Sequence, residues 1–126
     1  MKRLWASLAI FLVLIGGCIV GIRCTKRISQ ETARIVAAAK AAQEQGDSGG
    51  AYGLSRKAVE NWRDHYGFLC TYIAHPRLES IDQTLAALPA LCRYGAQDAF
   101  TSECDRGLAQ LTYLTESEMP SAANIF

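Results

Sequence analysis

From Leu4 to Ile22 the chain reads LWASLAIFLVLIGGCIVGI, with Ser7 its only polar side chain and no charge. A helix of that length rises about 28 Å, close to the roughly 30 Å hydrocarbon core of a bilayer. A soluble core helix shows polar residues at helical spacing, and this stretch shows none. Lys2 and Arg3 precede it; Arg23, Lys26 and Arg27 follow. The pattern predicts a transmembrane anchor over 4–22 behind a basic N-terminus (1–3), in contact with membrane lipid.

Beyond Ile22 the pattern changes to amphipathic. Ile28, Thr32, Ile35, Ala39 and Ala42 recur at three-four spacing and predict a helix from Arg23 to Gln45. No Pro or Gly separates it from the anchor, so the two can form one helix of about 40 residues. Gly46 to Gly50 ends it, with Asp47 or Ser48 available as the next cap. Leu54, Ala58, Trp62, Leu69 and Ile73 predict a second helix from about Tyr52 to Ala74, closed by His75-Pro76. Gly53 and Gly67 weaken it by about 1 kcal/mol each relative to alanine. Leu78, Ile81, Leu85, Leu88 and Cys92 hold an a/d heptad in a third helix starting near Arg77, with a kink or early end expected at Pro89. Gly95 closes that element. Phe100, Cys104, Leu108, Leu111 and Leu114 supply the stripe of a fourth helix, which ends before Pro120. The fold class is therefore all-α: an N-terminal transmembrane helix, a small up-down helical bundle over 23–119, and a tail over 120–126.

Composition narrows what such a chain can do. Of 13 basic residues two precede the anchor, which leaves the remainder one short of the 12 acidic ones. The near-neutral balance implies no basic patch, so nucleic acid is not an expected partner. Five cysteines are many for 126 residues. Cys18 falls in the apolar stretch, where Ile15-Gly16-Gly17-Cys18 is similar to a bacterial lipobox; the competing role is a small apolar residue in a membrane helix, because four apolar residues follow it. The other four allow two disulfides if the domain is exported. Antiparallel helices about Gly46–Gly50 bring Cys24 and Cys70 to similar heights, which favours that pair.

Candidate chemistry is sparse. His65 and His75 are the only imidazoles, and ten residues apart they share no helix face, so no metal site or cofactor is expected. Cys70 and His75 lie at i,i+5, on different sides of a helix, with no third group to orient a base; no catalytic residue is assigned. His75 is expected to serve a helix end, where a ring N–H meets an orphan carbonyl. Trp62 lies on the apolar stripe, as a core residue or else a partner contact. Ile125 and Phe126 either fold back onto the bundle or present themselves to a partner; burial of the pair is worth about 3–5 kcal/mol.

The full pattern resembles a small bacterial family, domain of unknown function 4363. The residues that carry the resemblance are Lys2-Arg3 with the apolar run, Trp62, the step from Ile73 to His75 with Leu78 and Ile81 after it, and the terminal Asn124, Ile125 and Phe126. Pro89, the two glycines at 53 and 67 and the cysteine content depart from it. The resemblance implies a membrane-anchored, exported helical domain. The flanking charges, two before and three after, alone favour the bundle in the cytoplasm. A short basic start ahead of an apolar run is the usual export signal and offsets them, and the resemblance tips the balance to the extracytoplasmic side. The expected role is protein–protein contact as a structural or accessory envelope component, without enzymatic activity. The alternatives are a ligand-sensing bundle that signals through a partner, and a lipoprotein anchored at Cys18.

Overall fold

The computed structural model describes residues 1–117. Four helices follow one another: α1 (Lys2–Glu44), α2 (Ser48–Tyr72), α3 (His75–Arg93) and α4 (Gln97–Ser117). Each packs on its chain neighbours, and α4 closes the ring against α1; across the diagonal, the Cys92 thiol of α3 reaches Gln43 Oε1 of α1 at 3.7 Å. This is the up-down bundle that the four amphipathic stripes require.

α1 is continuous through the apolar stretch and the first bundle helix, about 64 Å in all. Residues 2–20 are exposed, and burial begins at Gly21. The connections explain the remaining boundaries. Gly46 and Gly95 take φ of 81° and 71°, the left-handed region that glycine enters without a Cβ penalty. Asp47 N–H then reaches Ala42 O and Gly46 N–H reaches Gln43 O; Ala96 and Gly95 repeat this on Leu91 and Cys92. Both ends are Schellman closures, which satisfy the last carbonyls of α1 and α3.

Asp47 is the cap of α2, its carboxylate accepting from Gly50 N–H at 2.9 Å. That cap draws Gly49 and Gly50 into the first turn, so α2 starts at Ser48 rather than near Tyr52. α3 starts at His75 rather than Arg77, because Pro76 suits the first turn of a helix, where no N–H partner is needed. α3 also runs through Pro89 to Arg93 instead of ending early. Burial of Leu88 and Cys92 and the closure at Gly95 hold its final turn.

The core follows the stripes. Trp62, Leu69, Leu78, Leu85, Leu88, Phe100, Cys104, Leu111 and Leu114 are all essentially inaccessible, with Val36, Ala51 and Val59 added. Polar links fasten each neighbouring pair. Asn61 Nδ2 donates to Thr32 Oγ1 at 3.1 Å, Arg63 pairs with Asp82 at 3.4 Å, Gln110 donates to Ser80 at 2.9 Å, and Lys40 pairs with Asp105 at 2.6 Å. The two ion pairs lie at the surface and set register more than stability.

Gly53 and Gly67 are exposed helical positions with open space where a Cβ would lie. Gly53→Ala and Gly67→Ala are each expected to stabilise the bundle by about 1 kcal/mol, read as a higher Tm of the full chain in detergent.

Candidate functional site at the anchor–bundle junction

The chemistry-bearing residues gather where α1 leaves its apolar stretch. Tyr72, on the last turn of α2, lies over Gly21; a Cβ at Gly21 would overlap its ring. The contact therefore demands glycine at 21. Gly21→Val is expected to push Tyr72 off its seat at a cost of about 1–3 kcal/mol, relieved when Tyr72→Ala is added. Phe68 lies one turn earlier with its ring 5.1 Å from that of Tyr72. Cys18, Ile22, Thr25, Tyr72 and Ile73 line one groove here, and Cys24, Arg27, Ile28, Glu31, His65 and Phe68 line a second of about 400 Å³.

The expected Cys24–Cys70 bridge is not formed; all five cysteines are free thiols. The heights match, but the directions do not. Phe68 shares the groove with Cys24, and Cys70 lies about 200° further round α2.

Cys70 meets His75 instead, Sγ to Nδ1 at 3.5 Å. The helical angle for an i,i+5 pair does not apply, because α2 has already ended. Ile73 (φ −125°, ψ 143°) and Ala74 (φ −62°, ψ 133°) are extended and turn the chain, so His75 opens α3 facing back towards α2. His75 thus engages a thiol rather than a helix-end carbonyl, and its ring stacks on Tyr66 at 6.5 Å and 15°. Burial, then the neighbouring Cys70, pushes the Tyr66 phenol upward. A thiol–imidazole hydrogen bond is the chemistry this pair offers.

Trp62 is 0% exposed, and its indole N–H has no hydrogen-bond partner among the described residues. It stands in the core between helices and presents nothing to a partner. Cys18 is exposed on the unbroken helix. Asn124, Ile125 and Phe126 lie outside the described residues. Groups of three or more His, Cys, Asp or Glu able to hold a metal ion are absent among the described residues.

Sequence reasoning missed Gly21, Thr25 and Ser29, buried positions of α1 around the start of its bundle segment. Their signal was present: small side chains every fourth residue from Gly17 to Ser29, hidden because a hydrophobic stripe was the criterion.

The thiols divide by environment. Burial pushes the Cys92 thiol up and the Cys104 thiol up to about 12. Cys104 therefore keeps its proton in the folded chain where the unfolded chain has lost it. Below the ordinary thiol pKa of about 8.5 the two states do not differ. As pH rises from there towards 12, the unfolded chain binds fewer protons and stability falls. At pH 8, a maleimide is expected to label Cys24 and Cys70 in the folded chain and to reach Cys92 and Cys104 only after denaturation, as peptide mass spectrometry would show.

No family model, curated protein or solved structure matches this chain.

Proposed function

We propose that this chain is a single-pass membrane protein whose α1 crosses the bilayer over 4–22 and holds the bundle on the extracytoplasmic side. There it acts by protein–protein contact, as a structural or accessory component of the envelope and not as an enzyme. Kinship with domain of unknown function 4363 belongs to the same proposal and rests on the residues quoted for it.

The observation that carries the reading is the division of α1. One helix near the N-terminus is long and apolar enough to cross a membrane, and its most apolar window is only 6% buried. A helix that served a soluble core would bury that surface against its own chain. Here about 26 Å of apolar helix, residues 4–20, projects beyond the packed bundle.

Alkaline carbonate extraction tests the anchor: the chain is expected in the membrane pellet, and recovery in the supernatant would contradict the reading. For the contact role, the chain solubilised from native membranes in mild detergent is expected to elute with a stoichiometric protein partner. Elution as a lone chain in its micelle would count against it.

A further inference from the structure

We infer that the corner between α2 and α3, with the basic turn of α1 beside it, is a lipid-contact site that seats the bundle on phospholipid headgroups. The inference rests on the anchored reading of α1. It adds a second membrane contact, made by the folded domain itself.

The register of the helices places this corner. Tyr72 lies over Gly21, the penultimate residue of the apolar stretch, and the groove beneath it reaches Cys18. If 4–22 fills the hydrocarbon core, the Tyr72 ring stands at its boundary. Phe68 stands about 6 Å higher, four residues back along α2. The headgroup layer on each side of a bilayer is about 5–7 Å thick, so both rings fall within it. Aromatic rings with one apolar and one wet side favour that layer. Tyr72 is 41% exposed and Phe68 37%. Among the described residues, no other connection reaches this level. The Lys40–Asp105 pair sets α4 antiparallel to α1 and brings Glu116 level with Ser29, about 12 Å above Gly21.

Charge agrees with position. The first thirty residues contain no carboxylate, and Glu31 is the first, about 15 Å above Gly21. From Gly67 to Leu78 the corner also carries none, lying between Asp64 and Glu79. Arg23 and Arg27 are exposed at the same level. An end that is aromatic, cationic and free of acid along α1 and the corner matches anionic headgroups, which attract basic side chains within a Debye length. The lipobox reading does not move the corner, since Cys18 lies at its lower edge.

Photocrosslinking of the full chain tests the site. p-Benzoylphenylalanine is placed singly at Leu12, Phe68, Tyr72 or Tyr94, in vesicles of phosphatidylcholine and phosphatidylglycerol. Tyr94 is 82% exposed at the opposite end of the bundle. Irradiation inserts the probe into a neighbouring C–H bond, and intact mass counts chains carrying one phospholipid. Adducts are expected at 12, 68 and 72, at least fivefold above position 94. Adducts at 12 with 68 and 72 no higher than 94 would overturn the lipid-contact site and leave the anchor standing. Background yield at 12 as well would overturn the anchored reading and this inference together. Phe68 is 37% exposed and takes no part in the Gly21 contact, so its probe reports even if a probe at 72 disturbs that contact.

Discussion

Leu12→Arg combined with Ile15→Arg is expected to abolish stable membrane association of this chain. Both side chains point outward from the exposed part of α1, one turn apart near the middle of the apolar stretch. An arginine at the centre of a membrane helix costs about 2.5–3.5 kcal/mol on insertion scales, so the pair costs about 5–7 kcal/mol. That is a shift of about four to five orders of magnitude against the inserted state. Neither residue touches the bundle, so the bundle helices should persist. Carbonate extraction should move the variant from the pellet to the soluble or aggregated fraction. A variant that stays in the membrane pellet as the parent does would show that 4–22 is not what holds it there.

Trp62→Ala is expected to be the most damaging single substitution within the bundle. Trp62 is the largest of the fully buried side chains and sits midway along α2, where α1 and α3 both pack. Truncation removes its buried area and leaves a cavity, worth about 3–5 kcal/mol. For a domain of this size each kcal/mol lowers Tm by about 4–8 °C, so a fall of more than about 12 °C is expected for the full chain in detergent. Trp62→Phe should cost much less, because the indole N–H it discards has no partner to lose. Equal losses for the two variants would mean that the N–H makes a bond the packing does not reveal.

The repeated apolar spacing made the architecture legible. The stripe from Leu78 to Cys92 is buried at every position, and Gly46 and Gly95 end their helices as their freedom at positive φ suggests. Helix starts were less legible, because a cap acts from outside the hydrophobic pattern. Asp47 and Pro76 each extend a helix by residues that carry no apolar signal. The candidate site was the least legible part. An angle measured around one helix misplaces His75 once the chain turns at Ile73 and Ala74. Similar heights brought Cys24 and Cys70 together on paper, but Phe68 occupies the facing position. Gly21 and Tyr72 are fifty-one residues apart, and nothing local marks them as partners.

The central claim is that α1 crosses the bilayer once and carries the bundle outside. The most direct measurement places one epitope tag at each end of the chain and treats intact protoplasts with protease, with lysed cells as control. The account predicts that the C-terminal tag is destroyed in intact protoplasts while the N-terminal tag survives until lysis. Survival of both tags in intact protoplasts, or loss of both, would contradict it.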